Sequence, residues 1–225
     1  MKELPTVFTV GNGLAGLLAL LYIIDGGDGL VIASMLIVIG VILDGADGAL
    51  ARKLGTSSEF GRKLDGICDM VTFCFAPAML LYRSYYNAGA SSLTYPGNLF
   101  VVIGTVFVAG MGIIRLSLQE PVHDRFRGLP TAALALTLIS IIRLDGPEIF
   151  AVGGALLLSP LMLLDIKYPK IPDRLLVLPG MVMMFMLALL TFKYLELMPM
   201  IMVQRLFIVP LALLLGYDLV PLMKR

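Results

Sequence analysis

Apolar residues in this chain come in long unbroken runs, not in the one-sided stripe of a helix that lies on a soluble core. The runs fall at about 6–24, 29–50, 65–87, 98–118, 129–143, 148–165, 174–193 and 198–222. Polar or turn-forming breaks separate them: Asp25-Gly26-Gly27-Asp28, the basic 52–63 segment, Pro96-Gly97, Asp145-Gly146-Pro147 and Tyr168-Pro169-Lys170. Crossing roughly 30 Å of hydrocarbon takes a helix of about 20 apolar residues, because every backbone N–H and C=O must there be satisfied within the segment. Strands of a membrane barrel would alternate over ~10 residues, and these runs do not. The pattern predicts an all-α integral membrane bundle of about eight transmembrane helices, forming a single membrane domain over 1–225.

Composition agrees. Apolar residues make up 59% and charged residues 15% of the 225, with a mean hydropathy of +0.94, whereas soluble domains sit near 45–50% and about 25%. Lys+Arg number 17 against 16 Asp+Glu, a net charge of +1. That balance lacks the basic excess of a nucleic-acid binder. The two cysteines, Cys68 and Cys74, are too few for a disulfide framework or a four-thiolate metal site and read as packing residues. Lys2 ahead of the first run has the look of a signal-peptide n-region. The run is nevertheless long, holds Asn12 and lacks a small-x-small cleavage site, so it reads as a retained first helix.

Lysine and arginine set the expected orientation. The termini and the loops after the second, fourth and sixth runs hold Lys2, Arg52, Lys53, Arg62, Lys63, Arg115, Arg125, Arg127, Lys167, Lys170, Arg174, Lys224 and Arg225. The opposite loops hold Arg83, Arg143 and Lys193, and Arg205 lies inside a run. This asymmetry places both termini, and the loops that share their side, in the cytoplasm.

An ionisable group inside a membrane helix costs about 2.5–3.5 kcal/mol on insertion scales, so each needs a reason. Asp44, Asp47, Asp65 and Asp69 crowd into 26 residues at one end of the second and third runs. Asp44, Asp47, Gly48 and Ala51 share one helical face, and so do Gly61, Asp65 and Asp69 if the third helix begins early. An antiparallel hairpin would turn these faces toward each other. Four carboxylates in one small space cannot all stay ionised unless cations neutralise them. An oxygen-only set without a nearby Cys/His cluster suits Mg²⁺ or Mn²⁺, and four Asp suffice for two such ions, which clamp both ends of a phosphoryl displacement. Gly48, Ala51 and Gly61 leave room for a ligand, and Arg52 offers a fork that matches phosphate. Helix caps or boundary residues are the structural alternative for each Asp taken singly.

From Asp44 to Asp69 the chain reads D-G-A-D-G-A-L-A-R-K-L-G-T-S-S-E-F-G-R-K-L-D-G-I-C-D. This fits D-x2-D-G-x2-A-R-x8-G-x3-D-x3-D at every fixed position, and so resembles the signature of the CDP-alcohol phosphotransferases. The resemblance implies a bimetal enzyme whose six-helix core, here with two further C-terminal helices, binds a CDP-linked alcohol at the cytoplasmic membrane face. It implies that Asp44, Asp47, Asp65 and Asp69 hold two divalent cations, with Asp69 also the catalytic base. Gly48, Ala51, Arg52 and Gly61 would line the CDP site. Ser58 and Asn12 match family positions near the nucleotide, although Asn12 serves equally as a helix-packing residue.

The motif does not choose an acceptor. Further segments resemble the phosphatidylserine synthases: the T-x-G-N stretch within 8–12, F-C-F-A-P-A at 73–78, R-L at 115–116 and F-R-G-L-P-T at 126–131. D-I-K-Y-P-K at 165–170 is similar to the archaeal archaetidylserine synthases. The implied partners are a CDP-lipid, L-serine and membrane lipids, with a homodimer as the implied assembly and no nucleic acid. Arg115 and Lys167 are candidates for the serine carboxylate, with positive-inside or headgroup charge as the other reading. The second Arg that such synthases carry after R-L is absent here, where Ser117-Leu118-Gln119 follow. Another polar acceptor, such as glycerol phosphate or inositol phosphate, stays open. A transporter using the Asp as cation sites is the reading from another class, but transporters favour broken helices at the midplane and these carboxylates cluster at one end. His123 reads as a solvated loop residue, Asp218 as a headgroup-depth charge, and Arg205 has no assigned role.

Overall fold

The computed structural model describes residues 4–55, 58–87, 96–118, 128–164 and 185–190, with isolated positions at 89, 206, 208–210 and 212–213. Among these residues there are helices and turns and no strand. Four helices are long and apolar enough to cross a membrane: α1 (Leu4–Asp25), α2 (Gly29–Leu54), α3 (Glu59–Tyr85) and α4 (Pro96–Ser117). Two shorter apolar helices follow, α5 (Thr131–Arg143) and α6 (Glu148–Met162), the latter closing in a 3₁₀ turn over Ser159–Met162.

The expected eight spans therefore resolve differently in the second half of the chain. At 1.5 Å per residue the 13 residues of α5 extend about 20 Å, short of a hydrocarbon core. α5 is buried on nearly every face, with Ala133 through Ser140, Ile142 and Arg143 all enclosed. Its even hydrophobicity thus reflects neighbours on all sides, not lipid. The seventh and eighth runs lie outside the described residues, apart from a helical piece at 185–190 and a few positions beyond it.

Two turns bring the functional half together. Gly26 and Gly27 adopt φ of +79° and +54° between α1 and α2, a left-handed conformation that glycine enters without steric cost. At the other end, Gly55 (φ +60°) closes α2 by donating its N–H back to the Ala51 and Arg52 carbonyls. Ser58 then opens α3 as an N-cap, its Oγ accepting from Gly61 N at 2.9 Å. With so short a connection α2 and α3 run antiparallel, and α3 starts six residues before the third apolar run.

α1 packs along α2 and also onto α3. The approach to α3 is close because α1 presents small residues there: a Cβ on Gly13 would fall 2.7 Å from Cys68 Sγ, and one on Gly16 would fall 2.8 Å from Thr72 Cα. Gly40 of α2 meets the same Thr72, so this threonine marks the junction of three helices. Cys68 and Cys74 are buried free thiols, as packing residues should be. Within α3 the helix is α over Glu59–Asp69, π over Met70–Phe75 and α again over Ala76–Tyr85. Pro77 accounts for the change, since it lacks the N–H that the Phe73 carbonyl would otherwise receive.

The Gly16 contact predicts that Gly16→Val lowers the stability of the detergent-solubilised protein by about 1–3 kcal/mol through overpacking. Gly110→Ala, where an added Cβ meets nothing within 4 Å, should leave the melting temperature unlowered; thermal unfolding followed by circular dichroism compares the two.

Candidate functional site

The carboxylates predicted to converge sit where the last turns of α2 face the first turns of α3. Asp44, Asp47 and Asp65 each place one carboxylate oxygen within 4.8 Å of the other two. Asp47 is buried, while Asp44 and Asp65 are half-buried. At an effective dielectric near 20, two unit charges at that separation repel by about 3–4 kcal/mol. Nothing in the local backbone requires three acids to meet there, so the arrangement calls for a cation. Asp65 Oδ1 is enclosed without a hydrogen-bond partner, an anionic oxygen whose valence a metal would fill. A donor set made only of carboxylate oxygens fits a hard divalent ion such as Mg²⁺ or Mn²⁺.

Asp69 adjoins this trio. It lies one turn beyond Asp65 on α3, and its Oδ1 accepts a hydrogen bond from Asn12 Nδ2 at 2.9 Å. Asn12 is fully buried, and its backbone carbonyl accepts from Thr72 Oγ1 at 2.9 Å. Three of the four expected carboxylates thus meet within 4.8 Å, and Asn12 holds the fourth beside them. Asn12 orients Asp69 from within the bundle through its Nδ2, while its own Oδ1 is enclosed without a hydrogen-bond partner.

Asp47 has a support of the same kind. Thr9 Oγ1 lies 2.7 Å from Asp47 Oδ2 and 3.1 Å from the Pro5 carbonyl. A hydroxyl has a single proton to give, and the shorter approach to the charged acceptor takes it. Thr9, Asn12, Gly13 and Gly16 follow the i, i+3, i+4, i+7 spacing of one face of α1. That face thus steadies an acid on each neighbouring helix. Thr9 carried no expected role in the sequence, and the signal that could have found it is this spacing beside two glycines.

The remaining expected ligands fall on the rim. Arg52, exposed on the last turn of α2, folds back so that its Nη1 lies 3.4 Å from where a Gly48 Cβ would stand. A side chain at position 48 would push the guanidinium away from the carboxylates. Ala51 sits half-buried beside Arg52, and Gly61 lies over the Ser58 hydroxyl. Ser58 uses its oxygen to cap α3. Arg115 is buried near the end of α4, where its Nη1 donates to the Met162 carbonyl at 3.0 Å. The adjoining strand of loop is tied down as well, with Leu129 N donating to Leu161 O at 3.0 Å. Arg115 thereby holds the last turn of α6 against α4. Lys167, like Arg125, Arg127, Lys170, Arg174, His123, Arg205 and Asp218, lies outside the described residues.

The chain is similar in sequence to one family of known proteins. The family profile described as CDP-alcohol phosphatidyltransferase matches residues 2–164. A CDP-diacylglycerol–serine O-phosphatidyltransferase of Methanocaldococcus jannaschii is 36% identical over 166 residues, covering 74% of this chain and 73% of that protein. The Bacillus subtilis protein of the same name is 33% identical, over 75% of this chain and 91% of its own length. An archaetidylserine synthase of Methanothermobacter thermautotrophicus is also 33% identical, over 75% and 70%.

If Thr9 and Asn12 hold acids that receive a cation, Thr9→Val and Asn12→Leu should each weaken Mn²⁺ binding by about 10–100-fold, the usual effect of removing a ligand's supporting hydrogen bond. Electron paramagnetic resonance titration of free Mn²⁺ against the purified protein reads this directly.

Proposed function

Because the chain belongs to the CDP-alcohol phosphatidyltransferase family, we propose that it transfers the phosphatidyl group of a CDP-lipid to L-serine. The lipid would be CDP-diacylglycerol or CDP-archaeol, and the products a serine phospholipid and CMP. The observation that carries this reading is the meeting of Asp44, Asp47 and Asp65 at the mouth of an α2–α3 hairpin, beside Asp69 and Arg52. The names of the relatives choose serine among the possible acceptors.

The residues divide the work. Asp44, Asp47, Asp65 and Asp69 are the proposed holders of two divalent cations. When bound, these ions neutralise the pyrophosphate and the charge developing on the leaving CMP. The nucleotide lies against Gly48, Ala51 and Gly61, where the missing side chains leave space, with Ser58 at the edge. Arg52 pairs with a phosphate through its planar fork. Asp69 accepts the proton of the serine hydroxyl, and Asn12 holds its Oδ1 so that the other oxygen meets the proton. The serine oxygen then bonds to the lipid-side phosphorus as the bond from that phosphorus to the CMP oxygen breaks. Positioning and charge stabilisation do most of this work, as in phosphoryl transfer generally.

Arg115 and Lys167 are the proposed cations for the serine carboxylate. The positive-inside asymmetry supports a cytoplasmic active site and cytoplasmic termini in a cell membrane, with the CDP-lipid entering sideways from the bilayer. A homodimer is the proposed assembly.

Purified protein in detergent, given CDP-lipid and radiolabelled serine, should form a labelled lipid with Mg²⁺ or Mn²⁺ and none with chelator. Absence of product in the presence of metal refutes the serine assignment, and repeating the assay with inositol phosphate or glycerol phosphate identifies the rival acceptor. Asp69→Asn should abolish turnover while CDP binding stays within about threefold of wild type; retained turnover removes its role as base.

A further inference from the structure

At the end of the bundle opposite the carboxylates lies a second polar site, which the transfer reaction does not use. Asp65 and Arg83 are 18 residues apart on α3, about 27 Å at 1.5 Å per residue, which is close to the hydrocarbon thickness of a bilayer. Here a cavity of about 320 Å³ is lined by Arg83, Ser84 and Tyr85 from the end of α3, Arg143 from the end of α5, Asp145 from the following turn, and Leu30 from the start of α2.

Its polar groups are unusual for their depth. Arg143 is only 5% exposed, and its Nε has no hydrogen-bond partner. The Ser84 Oγ and Tyr85 Oη are enclosed and equally without a partner. A buried guanidinium normally has its donors filled, because an unmade bond to a charged group is costly. Arg83 adds a second guanidinium, lying over the Gly26 turn. Asp145 offsets one of the two positive charges and leaves the cavity net positive. Its backbone is held at φ +49°, a left-handed conformation that a residue other than glycine seldom adopts. Donors from two guanidiniums and two hydroxyls, with one net positive charge, match the oxygens of a phosphate group.

We propose that this cavity binds a phosphate group at the membrane surface opposite the active site, as carried by the headgroup of an anionic phospholipid or by free phosphate. The lipid source suits the surroundings. Ile24, Ile149 and Phe150 are 63–69% exposed at the same end of the bundle and offer apolar surface for acyl chains. The cavity also exceeds what a bare phosphate fills, leaving room for glycerol.

The test is a melting-temperature titration of the full chain in detergent with short-chain phosphatidylglycerol, alongside inorganic phosphate. Saturable stabilisation by phosphatidylglycerol is expected, at least about tenfold weaker in Arg83→Gln, Tyr85→Phe and Arg143→Lys and unchanged in Asp44→Asn. Arg83 is exposed, so its variant keeps the experiment interpretable should Arg143→Lys fail to fold. Stabilisation by both probes assigns the site to the phosphate group itself, and stabilisation by the lipid alone assigns it to the whole headgroup. Equal titrations in wild type and Arg83→Gln, or loss of the response in Asp44→Asn, would overturn the proposal.

Discussion

Repulsion among carboxylates is the constraint around which this molecule is organised. Asp44, Asp47 and Asp65 bring oxygens within 4.8 Å of one another at the end of a membrane hairpin, where water screens them less than on a soluble surface. Such a cluster is unstable unless something outside it holds the side chains in place and something inside it supplies positive charge. α1 does the first. Its Thr9 and Asn12 reach across to different helices, one gripping Asp47 and the other Asp69. The glycines on the same face allow the backbones to approach closely enough for short side chains to reach. A cation held among the carboxylates would meet the second requirement, and the unpartnered Asp65 oxygen is where the need for one is most visible.

Charge is handled differently at the two ends of the bundle. One end gathers carboxylates and leaves its arginine, Arg52, at the rim. The other buries Arg143 and lets Asp145 offset part of its charge. Between them the interior is mostly apolar. The polar groups buried within the helical bundle mostly stay local, with Ser34, Thr105, Ser140 and Ser159 bonding carbonyls one turn back on their own helices. Thr9, Asn12, Thr72 and Arg115 reach instead to other elements at or near the acid-bearing end, and Asn98 of α4 bonds Asn87 beyond the far end of α3.

How much of this could be read from the residues follows from the range of the interactions. The meeting of Asp44, Asp47 and Asp65 was legible because helical periodicity and a short connection determine it within 22 residues. The early start of α3 was legible too, since Gly61, Asp65 and Asp69 share a face only in that case. Asn12 was harder. Its pattern match was visible, but its position inside the bundle depends on how closely α1 approaches α3, which only the packed glycines decide. The surroundings of α5 were hidden for a related reason: an apolar run reads alike whether lipid or protein surrounds it. The charge of Arg115 was visible in sequence, and its tie to Met162 was not. Arg83 and Arg143 counted only as exceptions in the orientation tally, and nothing along the chain hinted that folding would place them around one cavity.

The π segment in α3 resets the angular register of the helix. Opening the helix over Met70–Phe75 inserts the equivalent of one residue, which turns everything beyond it by about 100° relative to an uninterrupted helix. The half that presents Asp65 and Asp69 and the half that ends at Arg83 therefore meet at a fixed angular offset, so this single rod aims its two ends in directions that a continuous α-helix would not give.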